Sequence, residues 1–281
     1  MIKLSQKSFD GTPTLYLIPT PIGNFDDITL RTINVLKNLD ILFCEDTRVT
    51  GMLLKHLDIK CKLITNHLHN EKENKDKILN YLKDGQDVGL VSDRGTPIVS
   101  DPGCELAKIV IENGYNLVSL PGPTALIPAL TSSGLNAKNF LFYGFLDSKE
   151  SKRIKQLHQL KNYPMTLIFY EAPHRLEKTL IDMLEVLGNR QISISREISK
   201  KFEEVYRGNI SDLISETKDV KGEIVIVVDG NKEKIDFESI SILEHIQMYM
   251  QDGLSSKDAI KKVAKDRNLA KDVVYKNYHK K

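Results

Sequence analysis

Four short apolar runs, each closed by a loop rich in glycine, proline or charged residues, constrain this chain more than any other feature. They are Thr14-Leu15-Tyr16-Leu17-Ile18, Ile41-Leu42-Phe43-Cys44, Val88-Gly89-Leu90-Val91-Ser92 and Leu117-Val118-Ser119-Leu120. Continuous apolar runs of this length read as strands buried on both faces, as in a parallel sheet. Stretches of helical spacing lie between them at 28–38, 47–57, 75–83 and 104–112, the last stopped by Asn113-Gly114. Strand and helix in alternation give an α/β chain.

After Leu120 the segment Pro121-Gly122-Pro123 can continue neither strand nor helix and marks a domain boundary. The alternation resumes with strands at 140–143, 165–170, 192–195, 204–206 and 224–228 and helices at 124–132, 151–160 and 175–187. The 204–206 strand runs directly into Arg207-Gly208, which suggests antiparallel, hairpin-like strands rather than a second pure βαβ domain. From Ile235 onward strand signals vanish. Two helical segments follow, one capped near Ser255 and one after Asn268, in the manner of a helix-turn-helix. The reading is three parts: an N-terminal α/β domain at 1–121, a C-terminal α/β domain with a mixed sheet at 122–231, and a basic helical appendage at 232–281.

The net charge of the 281 residues is only +2, but residues 254–281 carry nine lysines and arginines against three acids, a balance of +6 against −4 for the remainder. A basic appendage on a slightly acidic body suits attraction to a polyanion, although a lysine-rich solvated tail would show the same asymmetry. Acids interspersed among its lysines argue against a DNA-reading helix. No run approaches the roughly 18–20 apolar residues that span a bilayer, which predicts a cytoplasmic protein without membrane contact. The three cysteines, Cys44, Cys61 and Cys104, are widely spaced and read as small apolar fillers rather than a disulfide or zinc framework. His67 and His69 alternate, but no third ligand stands at a telling spacing, so no metal is expected.

Ligands of an α/β sheet bind at the carboxyl ends of its strands. The loops there are Thr20-Pro21-Ile22-Gly23-Asn24, Glu45-Asp46-Thr47-Arg48, Ser92-Asp93-Arg94-Gly95-Thr96-Pro97-Ile98-Val99-Ser100-Asp101-Pro102-Gly103 and Pro121-Gly122-Pro123-Thr124-Ala125. None matches the glycine fingerprints of dinucleotide or P-loop sites. Close backbone approach at Gly95 and Gly103, with carboxylates at Asp93 and Asp101, suits a sulfonium cation carrying an adenosine.

These loops, together with Asp27-Ile28-Thr29-Leu30-Arg31, Phe169-Tyr170-Glu171-Ala172-Pro173-His174-Arg175 and Val220-Lys221-Gly222-Glu223, resemble in collinear order the ribosomal RNA small subunit methyltransferase I family of the tetrapyrrole methylase superfamily. The resemblance spans about residues 15–229, and the basic tail is similar to the appendage found in that family. It implies two α/β domains holding S-adenosylmethionine between them, a homodimer, and 2′-O-methylation of a cytidine in the decoding region of 16S rRNA in the small ribosomal subunit. It implies a cofactor set of Asp93, Arg94, Gly95, Thr96, Pro97, Val99, Thr124, Ala125, Tyr170 and Glu171. An acceptor-side set follows of Thr20, Pro21, Gly23, Asn24, His67, Asn70 and Arg175, with Glu45, Asp46 and Arg48 as the catalytic candidates.

Several of these residues keep two readings. Glu45 and Asp46 either deprotonate the ribose hydroxyl or cap the helix that starts near Thr47. Arg48 and Arg175 either contact phosphate or pair with Glu45 and Glu171, and Tyr170 either closes on the adenine or ends a buried strand. The chain departs from the family at Arg94, where a small alanine is usual, so that the side chain must point outward or bring a cation toward RNA phosphate. It departs again at Leu68, where the family has glutamate. Methylation of a tetrapyrrole and a non-enzymatic RNA-binding assembly role are the alternatives.

Overall fold

Residues 4–8, 10–67, 70–232, 240–251 and 254–279 are described in a computed structural model of the chain. The chain divides into two compact units, 1–231 and 232–281.

The first unit opens with β1 (Thr14–Ile18), α1 (Leu30–Lys37), β2 (Ile41–Cys44), α2 (Thr47–His56), β3 (Lys62–Thr65), α3 (Glu71–Lys83), β4 (Val88–Val91), α4 (Cys104–Glu112) and β5 (Asn116–Ser119). Its strands form one parallel sheet in the order β3-β2-β4-β1-β5. The four expected strands are all present. The fifth, β3, escaped the sequence reading because it lies at the sheet edge, where only Leu63 and Ile64 are partly buried and Lys62 and Thr65 face solvent. An edge strand lacks the continuous apolar run that betrays a central one. Leu36 of α1 and Leu54 of α2 pack on one face of the sheet, whereas Ile78 and Leu82 of α3 and Leu106 and Val110 of α4 pack on the other. The helices that follow the neighbouring strands β1 and β4 therefore leave on opposite faces, which opens a crevice between the two strand ends.

The unit continues through α5 (Leu126–Ser133), β6 (Phe140–Phe145), α6 (Glu150–Leu160), β7 (Thr166–Glu171), α7 (Leu176–Leu187), β8 (Gln191–Arg196), β9 (Glu204–Asn209), α8 (Ile210–Glu216) and β10 (Ile224–Val228). These strands make a second sheet, β6-β7-β10-β8-β9, in which only β6 and β7 are parallel. The antiparallel β8–β9 pair is the hairpin that Arg207-Gly208 suggested. Helices α6, α7 and α8 bury one face around Leu157, Leu180 and Leu213, and α5 covers the other against Ile168, Val225 and Val227. The mixed α/β class with two sheets is as expected.

Among its described residues the second unit holds three helices rather than two: α9 (Ile242–Gln251), α10 (Ser256–Asp266) and α11 (Lys271–His279). They share a small core of Ile246, Ala259, Ile260, Val263, Ala264 and Val274. Ser255 caps α10 by accepting from the Asp258 N–H at 3.2 Å. Two expectations need correction or fall outside the structure. Cys44 is buried, but Cys61 is half-buried and Cys104 is exposed, because it opens α4 on the side away from the sheet, so not every cysteine is a core filler. Leu68 and His69 lie outside the described residues, as do Lys280 and Lys281.

Candidate active site

The crevice is built by stitching loops together. Thr20 and Gly95 exchange two backbone hydrogen bonds of 2.9 Å, which extends β1 and β4 beyond their ends as a short antiparallel bridge. The Thr20 hydroxyl donates to the Ser92 carbonyl at 3.1 Å, and the Ser92 hydroxyl donates to the Gly95 carbonyl at 3.1 Å. The loop after β2 joins through the Asp46 N–H, which donates to the Asp93 carboxylate at 2.9 Å. The loop after β5 joins through the Thr96 hydroxyl, which donates to the Pro123 carbonyl at 3.1 Å. Between these anchors Ile98 (φ 74°) and Ser100 (φ 66°) adopt left-handed backbone, which a β-branched residue rarely tolerates.

The second sheet supplies the facing wall. At Gly144 a bulge in β6 with φ 81° brings the chain so close to the Ser100 loop that a Cβ there would lie 3.0 Å from Ser100 Oγ. The cavity between them measures about 380 Å³, within the range of small-ligand sites. Ile22, Val99, Ala125, Phe145, Tyr170, Ile198 and Val225 give it apolar walls, and Ser100, Thr96 and Thr124 contribute hydroxyls. Its charged groups are Arg94, Asp101, Glu171 and Glu223.

Arg94 forms an ion pair with Glu223, which also takes Lys200 Nζ at 3.1 Å. Lys200 pairs with Glu197 at 2.8 Å, and its stem covers Gly23 so closely that a Cβ there would stand 2.2 Å from Lys200 Cγ. The side chain at the position where alanine was expected is thus drawn across to the second sheet rather than left free. Glu171 is buried; it accepts from the Thr179 hydroxyl at 2.6 Å and the Ala172 N–H at 2.8 Å and pairs with Arg175 at 3.1 Å. Arg175 also donates to the Leu146 carbonyl at 2.7 Å.

The carboxylates after β2 and β4 fall into two classes. Asp46 caps α2 through the Arg48 N–H at 2.8 Å and holds the Arg48 guanidinium at 2.6 Å, so its partner is Arg48 and Arg48 does not pair with Glu45. Those hydrogen bonds pull the Asp46 carboxyl down to about 2. Glu45 and Asp93 move the other way, both raised first by burial; the charge of Asp93 adds to the rise at Glu45, and that of Asp46 adds to the rise at Asp93 against the hydrogen bond from the Asp46 N–H. Burial lifts Asp101 furthest, to about 6, with Glu45 and Asp93 adding to it against a hydrogen bond from Ser92. Burial also raises the Tyr170 phenol, opposed by hydrogen bonds with Thr124 and the Leu126 backbone.

Of the residues singled out in the sequence for the cofactor, Arg94, Gly95, Thr96, Val99, Thr124, Ala125, Tyr170 and Glu171 line the cavity together. Asp93 and Pro97 do not; Asp93 lies behind the wall as an anchor for Asp46. Neither Glu45, Asp46 and Arg48 nor Thr20, Pro21, Gly23, Asn24, His67, Asn70 and Arg175 line it. His67 and Asn70 instead join end to end, the His67 N–H donating to Asn70 Oδ1 at 2.8 Å, ahead of α3. Asp101, read in the sequence as a carboxylate suited to a sulfonium, lines the cavity, whereas Ser100, Phe145, Ile198 and residues 222–225 of the lining carried no role in the sequence. The motif Val220-Lys221-Gly222-Glu223 was the available signal for the last of these. Among the described residues no cluster of His, Cys, Asp or Glu is arranged to hold a metal ion, and no helix is long and apolar enough to cross a membrane.

The sequence profile of the tetrapyrrole (corrin/porphyrin) methylases matches residues 14–214. The chain belongs to the tetrapyrrole methylase family. Solved relatives share the family fold: cobalt precorrin-4 methyltransferase superposes with a TM-score of 0.60 at 16% identity, covering 81% of this chain and 98% of its own. Uroporphyrin-III C-methyltransferase from Thermus thermophilus gives 0.57 at 20% identity, covering 77% and 94%. Curated relatives include the ribosomal RNA small subunit methyltransferase I of Bacillus subtilis (strain 168), 44% identical, and that of Escherichia coli O157:H7, 38% identical, each covering 98% of both chains. The methyl donor of a tetrapyrrole methylase is S-adenosylmethionine, and the residues present fit it. Apolar walls suit adenine, hydroxyls suit ribose, and a lining with three carboxylates against one arginine suits a sulfonium cation.

Proposed function

We propose that this methylase transfers the methyl group of S-adenosylmethionine to the 2′-hydroxyl of a cytidine ribose in the decoding region of small-subunit rRNA. One observation carries the reading. The family profile ends at residue 214, whereas the relatives named for ribosomal RNA cover 98% of the chain, so their likeness continues into the basic helical unit. A lysine-rich unit of that kind attracts phosphate backbones.

In this reading the donor occupies the cavity, with residues 1–121 presenting the acceptor and residues 122–231 closing the donor site. Arg94, Gly95, Thr96, Val99, Thr124, Ala125, Tyr170 and Glu171 hold the donor, and Asp93 and Pro97 shape the loop from behind. Thr20, Pro21, Gly23 and Asn24, with His67, Asn70, Glu45, Asp46 and Arg48, form the acceptor approach at the same strand ends, and Arg175 orients Glu171. Bound donor supplies an electrophilic methyl carbon. The protein's task is to align a hydroxyl behind that carbon, and alignment of this kind is worth on the order of 7–11 kcal/mol. The protein acts in the cytoplasm as a homodimer.

The test is transfer of labelled methyl groups to small ribosomal subunits from cells lacking the protein, followed by mapping of ribose methylation. One cytidine should gain the mark, and sedimentation of the enzyme should give twice the chain mass. Absence of label on any ribosomal particle overturns the reading, and transfer to a porphyrinoid in its place moves the chain to the other branch of the family.

A further inference from the structure

Two loops form the rim of the cavity on the side of the second sheet, 197–203 between β8 and β9 and 220–223 ahead of β10, and they supply Ile198, Gly222 and Glu223 to the wall. Backbone ties make them one piece. The Glu197 N–H donates to the Glu223 carbonyl at 3.0 Å, the Glu223 N–H donates back to Glu197 Oε1 at 3.1 Å, and Arg196 donates to the Lys221 carbonyl at 3.3 Å. Glu197 (φ 50°) and Ser199 (φ 70°) hold left-handed backbone, and the Ser199 hydroxyl donates to Asp27 across the crevice. A loop so constrained carries its tip, Lys201-Phe202, in a fixed position.

Charges on this rim divide by sign. Each of its acids is engaged: Glu197 by Lys200, Glu223 by Arg94 and Lys200, Glu204 by Arg196 and the Tyr206 hydroxyl, and Glu203 by the Ser199 N–H. Lys201 and Lys221 are exposed and, among the described residues, pair with no acid. Phe202 is 64% exposed, more than any other described aromatic side chain, and the Lys201 ammonium lies 5.7 Å from the centre of its ring. A single apolar side chain in water is ordinary. A bare ring beside unpaired lysines, on a stiff loop at the mouth of the donor cavity, is the equipment with which proteins hold unpaired RNA, by stacking on bases and pairing with phosphates.

Resting on the reading of the chain as a ribosomal RNA methyltransferase, we propose that Phe202 is a stacking platform for an unpaired base of the RNA beside the acceptor nucleotide, with Lys201 and Lys221 on the neighbouring phosphates. The ring then serves the acceptor and not the donor, since the cavity wall is formed by Ile198 of the same loop and not by Phe202. Charge favours RNA over a second copy of the chain. A two-fold contact between copies would set these lysines against the same patch, whose acids are already engaged.

The test uses the full-length enzyme with unmethylated small ribosomal subunits as acceptor. F202A should raise KM for the subunit by about 5–150-fold, the worth of one base–aromatic stack, while kcat stays within about threefold and S-adenosylmethionine binds as it does to wild type in calorimetry. F202Y should bring KM back to within about threefold of wild type, and F202L, apolar but without a ring, should not. In K201A/K221A the slope of log affinity against log salt should flatten by about 1.4, at about 0.7 for each single-strand phosphate contact. An F202L enzyme that matches F202Y overturns the proposal, because any apolar cover would then serve, and an unchanged salt slope overturns the part given to the lysines. An F202A enzyme with unaltered KM also overturns it, as does one whose donor binding weakens as much as its subunit binding. So does one that sediments at half the wild-type mass, since the ring would then belong to a contact between copies. A wild-type enzyme that methylates no ribosomal RNA overturns the functional reading itself.

Discussion

At Ser100, a wall residue of the cavity, the backbone has φ 66°, a conformation that costs an ordinary L-residue on the order of 1–2 kcal/mol. S100G should recover about 1 kcal/mol, seen as a melting temperature about 2–4 °C higher, while a loosened loop weakens donor binding in calorimetry. Asp101 makes a related prediction for pH. Its folded carboxyl takes up a proton near pH 6, above the ordinary carboxyl range near 4, so the folded state binds that proton more tightly than the unfolded chain does. Stability is therefore lost as pH rises from about 4 to 6 and stays lower above it, and D101N should melt higher than wild type at pH 8 but not at pH 4. Away from the site, Arg153 and Asp182 form a buried pair at 2.5 Å, with side chains only 4% and 9% exposed. D182A strands the guanidinium in the core and should cost about 3–5 kcal/mol in urea unfolding. Sequence made the glycines and prolines of the site visible because they announce unusual backbone. It left Phe145 and Ile198 without roles because nothing local distinguishes an apolar side chain that faces a cavity from one that faces elsewhere.

Elements were legible in proportion to how fully they are buried. The central strands β1, β2 and β4 are buried along their whole length and stood out as apolar runs. Edge strand β3 and the short helix α8 did not, although α8 carries a sequence mark, the capping box between Asn209 and Asp212. Helix α9 has the same mark: the Ser241 N–H donates to Glu244 at 2.8 Å and the Glu244 N–H to Ser241 Oγ at 3.1 Å. Both boxes were readable as a Ser or Asn three residues before an acid. The bulge in β6 could not be read, because Gly144 in Phe142-Tyr143-Gly144-Phe145 looks like a weak strand position until the loop against it is known. G144V should force that backbone out of its left-handed conformation and push into Ser100, lowering donor affinity at least tenfold by calorimetry.

For the whole molecule, the separation into 1–231 and 232–281, each with its own core, makes a truncation informative. A chain ending at Asn231 should unfold cooperatively and bind donor as the full chain does. Its affinity for the small subunit should fall, and the slope of log affinity against log salt should flatten by several units, because all nine of the tail's cations lie in that unit. Charge asymmetry pointed to this division from sequence, whereas the order β3-β2-β4-β1-β5 could not be seen because strand neighbours depend on contacts far apart along the chain.

The ties from Thr20 to Gly95, Asp46 to Asp93 and Thr96 to Pro123 bind four loops that are separate in sequence into one piece. Recombination between this chain and a methylase of another acceptor should thus succeed only when these loops are inherited as a set. A crossover placed between residues 24 and 121 would mate loops never selected together, and a library of such chimaeras should show its active members clustered at junctions outside that interval.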